Sequence, residues 1–114
     1  MKDMEITTKN VAGITFVYLS GDIKSTTSGE VMDALVSLVK GGANKLLLNV
    51  REVDFISSAG LRSILVAAKL LTNSNGQMRI CSANESVKKV LKTSGFTSLV
   101  NLYPDENEAL AAFT

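Results

Sequence analysis

The nearly unbroken apolar run Leu46-Leu47-Leu48-Asn49-Val50 is too short for a helix and lacks the alternation of a strand with one wet face. A strand covered on both faces satisfies it, which is the normal condition of a central strand in a parallel sheet. The chain around it should therefore supply helices for both the crossovers and the cover.

The flanking sequence fits that demand. Met4 to Lys9 alternates weakly with period two, and after Asn10 to Gly13 the β-branched and aromatic stretch Ile14 to Leu19 runs to Ser20-Gly21. Two strands this close predict a hairpin. Thr27 and Glu30 stand at capping-box spacing, and Val31, Leu35 and Leu38, with Met32 and Val39, mark one face of a helix that Gly41-Gly42 stops. A second helix is expected from about Ser58 to the Thr72–Gly76 loop, burying Leu61, Ile64, Leu65, Ala68 and Leu71. Gln77 to Cys81 predicts a short strand, and Glu85 to Ser94 a third helix with Val87, Val90 and Leu91 inward. With Gly95 at C′ of that helix, Leu91 and Phe96 would form the apolar contact of a Schellman motif. Val100 to Tyr103 completes the strands, and Pro104-Asp105-Glu106 opens a last helix. The order β-β-α-β-α-β-α-β-α predicts a single α/β domain over residues 1–114. It has a mixed sheet of four to five strands, parallel in the middle, and about four helices.

Composition removes whole classes of function. The chain contains no His and one Cys, Cys81, so Ser-His-Asp triads, His metal sites and thiolate zinc clusters are excluded, and no cofactor is implied. Lys and Arg number 12 against 11 Asp and Glu, which leaves no concentrated basic face for nucleic acid and no polybasic segment for a membrane surface. The helix face of Lys88, Lys89 and Lys92 reads as solvation. No apolar run approaches the ~20 residues of a membrane span, and Met1 to Glu5 carries no signal-peptide pattern. A cytoplasmic location is expected, with Cys81 a small buried apolar residue. No Gly-x-x-x-x-Gly-Lys-Ser/Thr loop is present to cradle phosphates, so a nucleotide-using enzyme finds little support.

The informative segment is Val53-Asp54-Phe55-Ile56-Ser57-Ser58-Ala59-Gly60-Leu61. With Ser57 as N-cap, Ile56 and Leu61 take the N′ and N4 positions of a hydrophobic staple, and Ser58 falls at N1. First-turn amides lack intrahelical partners and the dipole end is positive, so a phosphate there is tolerated. Gly60, without a Cβ, would let another chain approach the backbone. Spacing alone leaves two readings open. In one, Ser57 caps a helix, Ser58 is a second polar residue and Gly60 eases packing; in the other, Ser58 is a switch.

The run Asp54 to Leu61 resembles the signature of the STAS domain family, the sulphate transporter and anti-sigma factor antagonist group. Gly21-Asp22-Ile23 resembles the family's Gly-acidic-aliphatic element. The resemblance covers almost the whole chain and implies a free-standing anti-sigma factor antagonist, not an enzyme. In such antagonists the serine two residues before the glycine, here Ser58, is phosphorylated by an anti-sigma serine kinase. The unphosphorylated form binds that kinase and frees the sigma factor, and a serine phosphatase restores it. The nearest alternative acceptor is Ser57. Partner contacts are implied for Asp22, Lys24, Ser57, Ala59, Gly60 and Arg62, although Asp22 and Arg62 are equally readable as solvated and Lys24 reads somewhat better so. Weak nucleotide binding is also compatible with the family.

Two positions depart from the family's habit. Antagonists often have an acidic residue before the phosphorylated serine, where this chain has Ser57, and another after the Gly-acidic-aliphatic element, where it has Lys24. Both changes remove negative charge from the expected partner face. They fit the alternative of an unphosphorylated STAS scaffold subunit in a transporter, lipid-trafficking or stress-signalling complex.

Overall fold

The structure, a computed structural model, describes residues 4–113. Its elements are β1 (Glu5–Val11), β2 (Ile14–Ser20), α1 (Ser28–Lys40), β3 (Lys45–Glu52), α2 (Ser58–Asn73), β4 (Gln77–Cys81), α3 (Glu85–Thr93), a 3-10 turn (Phe96–Ser98), β5 (Asn101–Tyr103) and α4 (Glu106–Ala111). The five strands lie side by side in chain order, β1-β2-β3-β4-β5. β1 and β2 are antiparallel, and every later pairing is parallel. This is the mixed sheet that the sequence predicts.

β3 sits in the middle and is covered on both faces. Leu46, Leu48 and Val50 join Val17, Leu19, Met78 and Ile80 in a core packed beneath Val31 and Leu35 of α1, Ile64, Ala68 and Leu71 of α2, and Val87 and Leu91 of α3. Leu47 points the other way, into a smaller cluster with Ile14, Phe16, Cys81, Ala109 and Phe113 under α4. Alternation along one strand thus feeds two cores, which is why its sequence shows almost no polar position.

Several local expectations are corrected. The hairpin loop is tighter than Asn10 to Gly13: β1 continues through Val11, paired with Ile14, and the turn is Ala12-Gly13 with φ of 54° and 82°. Both central residues at positive φ suit the right-handed twist of a two-residue hairpin. Met4 precedes β1 and is buried. The full Schellman pattern closes α1 rather than α3. Ala43 N–H donates to Leu38 O (2.9 Å) and Gly42 N–H, at φ 104°, to Val39 O (3.1 Å). At α3, Gly95 is left-handed as expected and donates to Lys92 O, but the longer bond is relayed through a hydroxyl. Phe96 N–H donates to Ser94 Oγ, whose hydroxyl donates to Leu91 O. Pro104 lies before α4, whose cap is Asp105, accepting from Glu108 N–H at 2.9 Å.

Thr27 does not form the capping box. Its side chain makes no bond to the first turn of α1, and its N–H donates to Lys24 O at 2.9 Å. The buried hydroxyl instead donates to Asp22 O (2.8 Å) and accepts from Lys24 N–H (3.0 Å). A nearby loop had a stronger claim on the hydroxyl than the helix end.

Candidate functional site

Two irregular segments meet at one edge of the fold: residues 21–24, leaving β2, and residues 53–57, leaving β3. Because β2 and β3 are parallel neighbours, both segments emerge at the same end of the sheet, the end where open α/β sheets place their functional loops. They are zipped together by backbone bonds. Gly21 N–H donates to Glu52 O (3.0 Å), Ile23 N–H to Phe55 O (3.0 Å) and Ser57 N–H to Ile23 O (2.8 Å). Ile23 and Ile56 form a short parallel bridge and both side chains are buried.

α2 begins where the sequence predicts. Ser57 is the N-cap, with φ −91° and ψ 174°, and its Oγ accepts from Gly60 N–H at 3.1 Å. Ser58 follows at N1 and is exposed. The two adjacent serines are therefore unequal: one hydroxyl is held by the cap and the other stands in solvent. Among the described residues, the Ser58 and Ala59 amides take no hydrogen-bond partner, so the positive end of the helix remains open there.

The remaining predicted site residues fall into two groups. Lys24 and Arg62 are exposed, and Asp22, Ser57 and Ala59 are half-buried. Gly60 is buried, and its missing Cβ is used inside the chain: a Cβ there would press on the Ile23 carbonyl and lie 2.6 Å from Ile23 Cγ2. The expectation that Gly60 admits a partner's backbone is corrected accordingly. It admits the chain's own Ile23, so the two motif segments are one structural unit.

The loop of residues 22–24 takes its shape from Thr27. Thr27→Val keeps the volume but removes a buried hydroxyl that serves two backbone groups. It is expected to cost about 1–3 kcal/mol, measured by urea unfolding, whereas Thr27→Ser retains most of the stability. Equal midpoints for Thr27→Val and the wild type would contradict this account.

Three features escape sequence reasoning. Phe55, within the segment of residues 53–57, is 47% exposed, a large aromatic in the open three positions before Ser58. Leu61 and Leu65, expected in the core, are only half-buried. Together with Lys69, Phe96 and Leu99 they line an open groove of about 320 Å³ between α2 and the 3-10 turn. Ser58, Leu61, Arg62, Leu65 and Lys69 recur at helical spacing, so hydroxyl, cations and groove share one stripe of α2. The third feature is Asn84, the N-cap of α3, whose amide reaches back to Val53 and Asp54.

Cys81 is buried and burial pushes its thiol up, which suits packing rather than nucleophilic attack. Among the described residues no group of three or more His, Cys, Asp or Glu is placed to hold a metal, and no helix is long and apolar enough to cross a membrane.

Comparison with known proteins agrees with this architecture. The family model described as "STAS domain" matches residues 5–109. BtrV of Bordetella bronchiseptica is 31% identical over 110 residues, covering 96% of this chain and 95% of its own. An anti-sigma F factor antagonist of Paenibacillus polymyxa is 28% identical over 109 residues, covering 95% and 93%. The phosphorylated form of the Bacillus cell fate determinant SpoIIAA superposes with a TM-score of 0.75 at 17% identity, covering 96% of this chain and all of that one. With the family match spanning the whole sheet and both motif segments, the chain belongs to the STAS domain family.

Proposed function

We propose that this chain is an anti-sigma factor antagonist whose binding to an anti-sigma serine kinase is switched by phosphorylation of Ser58. The observation that carries the reading is the inequality of the serine pair: Ser57 Oγ is engaged as a cap while Ser58 Oγ is exposed at N1. The family relative named an anti-sigma F factor antagonist, matched over nearly the full length of both chains, supports the same assignment. One protein with this fold, SpoIIAA, has a phosphorylated form.

In the unphosphorylated state the stripe of α2, with Phe55 and the segment of residues 22–24 beside it, docks on the kinase, and the kinase releases its sigma factor. The kinase then transfers the γ-phosphoryl group of ATP to Ser58 Oγ. The Oγ–P bond forms, the bond from Pγ to ADP breaks, and the hydroxyl proton leaves to a base of the kinase. The product carries about −1.5 to −2 charges at a helix N-terminus, where open amides and the dipole accept them. The fold survives, and the kinase face meets bulk and charge where it had met a hydroxyl. A serine phosphatase hydrolyses the ester and resets the chain.

The test uses the chain, ATP and an anti-sigma serine kinase from the same organism. Mass spectrometry should place one phosphate on Ser58, and calorimetry should show kinase binding by the unphosphorylated chain alone. No incorporation, or phosphate on Ser57, would count against the reading. Recovery of a transporter or lipid-trafficking complex by affinity purification would transfer it to the scaffold alternative, for which Lys24 and Ser57 speak.

A further inference from the structure

We infer that Asn84 is a positioning residue for the Ser58 turn, holding the part of the segment that Ile23 does not bond; this rests on the Ser58 reading for its functional consequence, though not for its geometry. Residues 53–57 belong to no helix and no strand beyond the single Ile56 bridge. An irregular segment without its own ladder must take its shape from groups supplied by other elements. For Phe55 and Ser57, the Ile23 backbone supplies them. For the Val53 and Asp54 carbonyls, the Asn84 side chain does so.

Each half of the Asn84 amide has a separate task. Oδ1 accepts from Val87 N–H at 2.8 Å, capping α3. Nδ2 donates to Val53 O and Asp54 O, at 3.3 Å each. The amide can point only one way, since Val87 N–H needs an acceptor while the two carbonyls need a donor. Because both tasks run through one planar group, the start of α3 and the passage from β3 into α2 are coupled. Asn84 holds Val53 and Asp54, the next residues Phe55 and Ser57 bond to Ile23, and Ser58 follows directly. Motion at Asn84 would therefore reach the acceptor hydroxyl through only a few peptide units, without any change in α2 itself.

Aspartate separates the tasks. It caps a helix as well as asparagine does, but it has no N–H to donate and sets a carboxylate against two carbonyl oxygens. In Asn84→Asp, the Val87 amide should keep its protection from hydrogen exchange. The Ser57 and Ile23 amides should exchange faster by about tenfold, the scale expected when hydrogen bonds holding a segment are lost. Asn84→Ser, which also retains a cap, should show the same pattern and controls for repulsion between the added carboxylate and the Val53 and Asp54 carbonyls. With the cognate kinase, both variants should raise KM for the chain while leaving kcat near wild type, since the hydroxyl is intact and only its presentation has changed.

Wild-type exchange at Ser57 and Ile23 in both variants overturns the inference, as does an unchanged KM in a chain whose Ser58 is phosphorylated. The exchange measurement needs no kinase. A wild-type chain that takes no phosphate at Ser58 therefore defeats the functional reading alone, and the exchange rates still decide what Asn84 does.

Discussion

Ser58→Ala is expected to reduce phosphate incorporation to the level of a control without kinase, while the protein unfolds within about 0.5 kcal/mol of wild type. The two halves of that result follow from one fact. Ser58 is exposed and its side chain makes no hydrogen bond that the fold depends on; Ser57 retains the cap through the Gly60 amide. The neighbouring serine is not expected to substitute, because Ser57 is half-buried and its Oγ is already engaged as the helix cap. Ser58→Glu sharpens the comparison. A carboxylate at N1 should raise stability by about 0.3–1 kcal/mol through the helix dipole and at the same time weaken kinase binding. A change that stabilises the chain yet releases the partner separates a binding switch from a folding defect. Phosphate still incorporated in Ser58→Ala, or kinase binding unaffected in Ser58→Glu, would remove the basis of the proposed function.

Gly60→Ala is expected to have the largest effect on the fold itself. The added methyl would lie against the Ile23 carbonyl, with Ile23 Cγ2 at 2.6 Å and the carbonyl carbon at 3.0 Å. Backbone is the obstacle, so no rotamer change relieves it. The segments must part, and the bonds from Ser57 N–H to Ile23 O and from Ile23 N–H to Phe55 O lengthen or break. A cost of about 2–4 kcal/mol is expected. For a chain of this size that corresponds to roughly 10–20 °C in Tm, read by circular dichroism. Gly29→Ala is the control. Gly29 lies in α1 with nothing within 4 Å of a Cβ, and alanine there should stabilise by up to about 0.5–1 kcal/mol. Equal melting curves for Gly60→Ala and wild type would mean that the two segments are not in the contact described.

What the sequence reveals and what it hides divide along the range of the interactions. The hairpin, the doubly covered β3 and the start of α2 at Ser57 are written in local pattern: alternation, an apolar run, and a serine before a helical period. They needed no knowledge of distant neighbours. Thr27 shows the opposite case. Its spacing to Glu30 satisfies the capping rule, yet its hydroxyl goes to Asp22 and Lys24 because the loop folds back over it. Gly60 left packing and partner access both open because its true neighbour, Ile23, lies on a different crossover. Leu61 and Leu65 carry a core-like period, but they sit half-buried at the rim of the core, where they line the groove. Asn84 gave no signal, since a cap residue looks the same whether or not its second amide atom has work elsewhere. The position of Ser58 at the exposed start of α2 was legible from the chain, while the scaffold that presents it is tertiary.

The chain-order arrangement of the strands has a kinetic consequence. Every strand docks beside the one made just before it, so each pairing closes a loop no longer than one helix and its turns, and the entropy of closure stays small. Such economy of sequence separation favours rapid folding for a mixed α/β domain. A chain emerging from the ribosome can add its sheet one strand at a time, without waiting for its far end to return.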